Sequence, residues 1–411
     1  MARAAIGLVL VGSLAGASAA AVELPRAAPE SVGMSSARLA AVAQKMDALV
    51  AAREFPGMTA MIARRGQVVY QHSTGVLDVE TGAPMRDDSL LRVYSMTKPI
   101  TSVAAMTLVE DGELLLDAPV TRYFPEWRDL TVLVDGENVP LTGPVTARHL
   151  LMHTSGLTYG YYGDTPVDRM YREARLIDDW DYLTRDTREL VAKLADIPLL
   201  FQPGSRWHYG FSSDVLGHLV ERVSGKPLDA FFRERLFEPL GMRDSFFDVP
   251  PEVVDRFGTD HYVNDGEVVV QDSPREDPEF IDVTFLSGGG GLVMTAEDYL
   301  RFALVMQGGG RLQDARILSP TTVDLMTTDL LPEGTSAGGA GFGLGFAVVL
   351  PGAGRDARSP GSYYWGGAAG TFFWVDPAQE LVAVFMPQRI GSPGWIQQTL
   401  QNMVYAAIDR N

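Results

Sequence analysis

The spacing of apolar positions changes along the chain, and each change marks an element. After Ser35-Ser36, a pair suited to helix capping, Leu39, Val42, Met46, Leu49 and Val50 recur at helical spacing. Met58 to Ala63 and Val68 to His72 are short β-prone runs joined by Arg64-Arg65-Gly66-Gln67, which predicts a hairpin. From near Ser95 to about Glu110 the chain is apolar on most sides of a helix (Ile100, Val103, Ala104, Ala105, Met106), and Asp111-Gly112 supplies the stop. Pro99 is tolerated only in a first turn, where its missing N–H has no helical partner. This helix must therefore start close to Ser95, and its composition predicts a buried, central position.

From about Leu116 to Phe285 helical patterns predominate. Their connections are rich in tryptophan and charge, as in Pro125-Glu126-Trp127 and Asp178-Asp179-Trp180-Asp181. Asp214 to Val223 and Leu228 to Leu236 read as two amphipathic helices around Ser224-Gly225-Lys226-Pro227. Gly288 to Gly291 leads into Thr295-Ala296-Glu297-Asp298, a capping sequence for a helix through Met306. Strand-like runs then return at Phe342 to Val349, Ser362 to Trp365, Thr371 to Val375 and Leu381 to Phe385. Trp395, Ile396, Thr399, Leu400, Met403, Val404 and Ile408 form one face of a last helix. The prediction is an α/β (α+β) fold with one antiparallel sheet built from both chain ends and flanked by helices. Residues 22–115 and 286–411 would form that discontinuous domain, and 116–285 an inserted, mostly helical one. A site is expected in the cleft at their junction.

Composition narrows the partners. At 411 residues and 46% hydrophobic the chain can bury a large core. A net charge of -18 argues against nucleic acid and anionic membrane surfaces, which need basic patches. With no cysteine there is no disulfide, thiolate metal site, cysteine nucleophile or lipid-modified N-terminal cysteine. Met1-Ala2-Arg3, the apolar run Ile6 to Leu14 and Ala17-Ser18-Ala19 have the order of a secretory signal, assigned to residues 1–21. Its cleavage would make the protein periplasmic or secreted; an uncleaved chain would be cytoplasmic. The apolar run is too short for a stable membrane anchor.

Candidate chemistry centres on Ser95-Met96-Thr97-Lys98. Residues three apart share a helix face, so the serine hydroxyl and the lysine amine can approach each other. An amine held away from water becomes a base because its pKa falls. A chain of this length contains Ser-x-x-Lys about once by chance, so the motif needs company. His149 and His153, four apart, could pair on a metal, but no glutamate stands between them as in zinc peptidases and no third ligand is suggested. Packing is the simpler reading, and no metal or cofactor is assigned. Gly288 to Gly291 lacks the lysine context of a phosphate loop.

The company is present. Leu150-Leu151-Met152-His153-Thr154-Ser155-Gly156-Leu157, Gln202-Pro203-Gly204 up to Tyr209, and Ser224-Gly225-Lys226-Pro227-Leu228 occur in order. Phe237-Glu238-Pro239-Leu240-Gly241-Met242, Gly288 to Leu292, and Trp365-Gly366-Gly367 follow. With Ser-x-x-Lys, this set resembles the serine β-lactamase-like family, nearest its class C β-lactamases and family VIII carboxylesterases. The resemblance implies Ser95 as acylated nucleophile, Lys98 as its activator and Tyr209 as base, with Tyr159, Tyr161 and Tyr162 as rival tyrosines. It implies an oxyanion hole from the N–H groups of Ser95 and Ala368. An adjacent ammonium should favour the Tyr209 phenolate, so Lys98 and Tyr209 are read as one coupled unit. Two positions depart from the β-lactamase pattern: Trp365 stands where Lys-Thr-Gly has its lysine, and Phe211 where the tyrosine motif ends in asparagine. Trp365, Gly366, Gly367 and Phe211 are accordingly candidate substrate-binding residues. Losing a charge-assisted bond to a substrate carboxylate favours neutral esters over carboxylated lactams. The implied activity is hydrolysis of a small-molecule ester through an acyl-enzyme. A weak β-lactamase, a D-amino-acid peptidase or amidase, an acyltransferase, and a non-catalytic binding or scaffold protein are the alternatives.

Overall fold

A computed structural model describes residues 23–176, 186–275, 280–352 and 357–409. The segment read as a secretory signal and Asp178-Asp179-Trp180-Asp181 lie outside these residues. Ser35 accepts the backbone N–H of Arg38 and caps α1 (Ser36–Ala51), whose buried stripe is Leu39, Val42, Met46 and Leu49. Strands β1 (Gly57–Arg64) and β2 (Gln67–Gly75) form the first hairpin. A 3-10 turn, Tyr94–Met96, precedes α2 (Thr97–Glu110). Every α2 residue from Thr97 to Leu108 is buried, and Pro99 falls in its first turn. Next come α3 (Ser212–Ser224), β3 (Asp260–Asn264), β4 (Glu267–Asp272) and α4 (Ala296–Gln307), the last capped by Thr295. The chain ends with β5 (Gly341–Phe342), β6 (Ala347–Val348), β7 (Tyr363–Gly366), β8 (Phe372–Asp376), β9 (Leu381–Pro387) and α5 (Gly394–Ala406).

The main sheet runs β5-β6-β7-β8-β9-β1-β2 with antiparallel pairs throughout, so β1 from one chain end pairs β9 from the other. Both faces are covered, and the period-two alternation sorts its side chains into two cores. Ala60, Ile62, Phe372, Trp374, Ala383 and Phe385 face α1 and α5. Met61, Ala63, Phe373, Val375, Val382 and Val384 face the opposite way, into the core shared with α2, α3 and α4. Tyr299 of α4 meets Phe373 there at 4.9 Å between ring centroids. That shared core continues without a break into the middle of the chain. A small sheet of Leu91–Arg92, Val293–Met294 and Ser245–Phe246 also joins the two parts.

Three expectations change. Phe342 to Val349 is not one strand but the β5–β6 hairpin, because Gly345 turns the chain at φ 97°. A Cβ on Gly345 would lie 2.1 Å from Ser102 Oγ, so the turn is pressed against α2. The helix predicted to end at Leu236 continues to Leu240 through a π turn at Arg233–Phe237. The middle of the chain is less helical than predicted, since it holds the hairpins Thr131–Val134 with Glu137–Pro140, and β3 with β4. Among the described residues no helix is long and apolar enough to cross a membrane.

Candidate active site

The 3-10 turn before α2 puts Ser95 at the mouth of a cleft of about 710 Å³. Sheet strand β7, the start of α3, the glycine run and the loop Tyr159–Tyr162 line it. Lys98, one turn on, is 2% exposed, and its Nζ donates to Ser95 Oγ at 3.1 Å and to Gly289 O at 2.7 Å. Tyr209, just before α3, donates its hydroxyl to Ser95 Oγ at 2.7 Å. The serine oxygen thus receives an amine and a phenol at once. Lys98 Nζ also lies 4.6 Å from the centre of the Tyr209 ring.

Burial brings the Lys98 ammonium down to about 8, against the pull of Asp214 and Tyr162. Burial also drives the Tyr209 hydroxyl upward, with the Ser95 and Trp365 contacts opposing it. Desolvation of the enclosed hydroxyl thus opposes the phenolate that an adjacent ammonium would favour. The amine is the member of the pair that can release a proton near neutrality, and it can then take the serine proton.

Asp214 has no counterpart in the sequence reading. It is buried in the first turn of α3 and accepts Ser287 Oγ at 2.5 Å and Gly289 N–H at 3.0 Å on the same oxygen. Burial raises its carboxyl, and the Lys98 charge, Ser287 and Gly289 pull it back. The glycine run is therefore no phosphate loop. It is the strap between α2 and α3, with Thr101 Oγ1 bonded to Gly288 O at 2.7 Å and Leu292 N–H to Thr97 Oγ1 at 3.1 Å. A Cβ at Gly289 would sit 2.4 Å from Asp214 Oδ2. The available signal was Asp214 five residues after Tyr209, at the end of a helix whose other face is apolar.

Tyr94 holds the approach to the nucleophile. Its backbone is left-handed at φ 42°, an uncommon state for a non-glycine residue. Its phenol donates to buried Asp260 Oδ2 at 2.7 Å, and two residues earlier Arg92 pairs with Asp272 while covering the Phe257 ring at 4.2 Å. Asp260 and Asp272 face each other across the β3–β4 hairpin. The unforeseen hairpin thus clamps the strand entering Ser95.

Trp365, Gly366, Gly367 and Ala368 all line the cleft, as does Phe211, which is 2% exposed and meets Tyr159 edge-on at 4.8 Å. Thr371 ties the β7–β8 turn to the nucleophile loop, accepting Gly367 N–H on its carbonyl at 2.8 Å and donating its hydroxyl to Val93 O at 3.4 Å. A Cβ on Gly367 would lie 2.3 Å from Val93 O, so only glycine allows this approach. Gly367→Ala is expected to lower kcat at least tenfold, and up to the 10²–10³ scale of a lost oxyanion donor, with a circular dichroism spectrum like the parent's. An unchanged kcat would show that the spacing of Ser95 and Ala368 does not matter.

The rival tyrosines form the cleft wall. Tyr159 and Tyr162 pack on the Tyr209 ring at 5.4 and 5.6 Å. His149 and His153 do not act as a pair. His149 Nδ1 accepts Thr146 N–H at 3.2 Å in a capping box, whereas His153 is buried 5.0 Å from the Tyr209 ring. A Gly-x-Ser-x-Gly pentad, Gly334 to Gly338, has the spacing of an α/β-hydrolase elbow but not its strand–turn–helix setting. Ser336 is exposed, and its Oγ accepts Gly339 N–H at 3.2 Å.

A sequence model of the Beta-lactamase family matches residues 42–400. The chain belongs to this family. It is 36% identical to Esterase EstB of Burkholderia gladioli over 392 residues, covering 90% of this chain and 95% of that protein. It is 30% identical to acyltransferase calJ of Penicillium decumbens, covering 80% and 83%. Among solved structures, EstCE1, described as a hydrolase with promiscuous acyltransferase activity, aligns with a TM-score of 0.78 at 28% identity, covering 90% of this chain and 98% of that one. Family, fold and relatives agree on an enzyme of the serine β-lactamase-like type, an esterase or acyltransferase.

Proposed function

We propose that this member of the β-lactamase family hydrolyses small, mostly neutral carboxylic esters through an acyl-enzyme on Ser95. One observation carries the reading: Ser95 Oγ lies between a buried amine and an enclosed phenol, in a cleft with no lysine or arginine among its described lining residues. In the proposed cycle the Lys98–Tyr209 pair takes the serine proton as Oγ bonds to the ester carbonyl carbon. The oxyanion meets the N–H groups of Ser95 and Ala368. The C–O bond to the alcohol then breaks, and the pair returns the proton to the leaving oxygen. Water repeats the steps in reverse roles and frees the acid. An alcohol in place of water would give acyl transfer, which the names of calJ and EstCE1 make the second reading.

Trp365 stands where a cation would bind a lactam carboxylate, and that missing bond is worth roughly 1.5–3 kcal/mol, or about 10- to 100-fold. A panel of p-nitrophenyl esters of rising chain length, run beside a chromogenic cephalosporin, tests the reading. Short esters should give the higher kcat/KM. An equal or better value for the cephalosporin would reverse the assignment to a β-lactamase.

A further inference from the structure

We propose that the alcohol half of the ester is aromatic, and that the enzyme takes benzyl-type and other arylalkyl esters by laying the leaving group's ring against Tyr161 and Tyr162. The inference rests on the esterase reading above and names its substrate class.

The chemistry of the tetrahedral intermediate fixes which half of the ester lies where. The carbonyl oxygen must turn toward the N–H groups of Ser95 and Ala368, and the leaving oxygen toward its proton donor. Of the Lys98–Tyr209 pair that returns the proton, Lys98 is buried and only Tyr209 lines the cleft, its hydroxyl 2.7 Å from Ser95 Oγ. In the proposed cycle Tyr209 hands its proton to the leaving oxygen and regains one from Lys98, so the alcohol substituent begins there. The ring of Tyr209 is also where the aromatic wall docks, with Tyr162 at 5.6 Å and Tyr159 edge-on at 5.4 Å. Tyr161 continues the wall, stacked on Tyr159 at 5.4 Å and 12° and 4.5 Å from Tyr162. Trp365 borders the same ring at 5.5 Å but is partly buried, so the alcohol substituent is laid along the more open side at Tyr161 and Tyr162.

The wall is open where a ligand would cover it. Tyr161 and Tyr162 are 54% and 56% exposed, and both line the cleft. Tyr159 beneath them is 9% exposed. Two adjacent exposed aromatics over a buried one form a shelf, unlike the scattered single side chains of an ordinary surface. The shelf is held in place. Arg172 bonds to Gly160 O, Gly160 N–H bonds to Thr158 Oγ1 at 3.1 Å, and Thr158 bonds to Asp168 at 2.8 Å. A Cβ on Gly160 would come within 2.8 Å of Tyr171 Cβ, so the loop lies tightly on the helix beneath it. Asp214 is the one charged side chain among the cleft's described lining, and it is buried and bonded. A neutral ring fits such a surface better than an alkyl ring of equal size, because ring quadrupoles add to burial by a factor of roughly three to ten.

Matched esters read this directly. Benzyl acetate and cyclohexylmethyl acetate differ on the alcohol side alone, and methyl phenylacetate and methyl cyclohexylacetate on the acyl side alone. The parent enzyme should prefer benzyl acetate by roughly threefold to tenfold in kcat/KM. It should show no comparable preference within the acyl-side pair. In the Tyr161→Leu/Tyr162→Leu variant the alcohol-side preference should fall toward one, with stoichiometric labelling of Ser95 by a fluorophosphonate showing that the site is intact. Equal rates for benzyl and cyclohexylmethyl acetate in the parent, or an aromatic preference confined to the acyl side, would overturn the inference and leave the esterase reading standing. No cleavage of any of the four esters would overturn both.

Discussion

Ser95→Ala is expected to reduce ester hydrolysis by about 10⁶-fold, the scale of losing a serine nucleophile, while the protein still folds. The hydroxyl is half-buried and its oxygen is the meeting point of the Lys98 and Tyr209 donors, so alanine removes the reacting atom without opening a core cavity. Initial rates on a short p-nitrophenyl ester, with thermal melting as the folding control, measure it. A variant with a tenth of the parent activity would mean that another group attacks. Ser336 would be examined first, since it sits in the Gly-x-Ser-x-Gly pentad.

Lys98→Met should cost roughly 10²–10⁴-fold in kcat/KM, the usual worth of a positioned general base. Methionine keeps the unbranched length that fills the buried slot but cannot accept a proton. The parent enzyme's pH profile carries the same claim. Burial lowers the Lys98 pKa from 10.5 to about 8. The active form is the neutral amine, so kcat/KM should rise with pH, about tenfold per unit well below 8, and level off above it. The upward displacement of the Tyr209 hydroxyl leaves that group protonated across the same range. A profile flat from pH 6 to 9, or one that falls through 8, would contradict the assignment of the base.

Much of this fold is legible in the sequence because both cores follow simple periods. Leu39, Val42, Met46 and Leu49 mark α1, and the alternation through β1, β8 and β9 marks strands buried on both faces. Pro99 places the start of α2. What went unread was chiefly turn chemistry. Asp135-Gly136 and Asp265-Gly266 both take left-handed backbone between β-branched runs, the signature of tight hairpins, in a region otherwise rich in helix patterns. Gly343 and Gly345 likewise split an apolar run that periodicity reads as one strand. In the site, Ser95, Lys98, Tyr209 and Trp365 announce themselves by motif. The structure brings them together, with Lys98 buried behind Ser95 and the other three lining the cleft. Asp214 and the Tyr94–Asp260 and Arg92–Asp272 contacts are not readable in advance, because they join residues 73 to 180 positions apart through burial alone. The direction of the Tyr209 shift also depends on desolvation, which no spacing reveals.

The central claim is that Ser95 is the atom that attacks a neutral acyl substrate. Reaction with a fluorophosphonate, followed by peptide mapping and parallel esterase assays, tests it most directly. The account predicts one label per chain on the peptide bearing Ser95, loss of activity in step with labelling, and no label in Ser95→Ala. Full inactivation with the label on another residue, or unlabelled enzyme that folds and still cleaves esters, would contradict it.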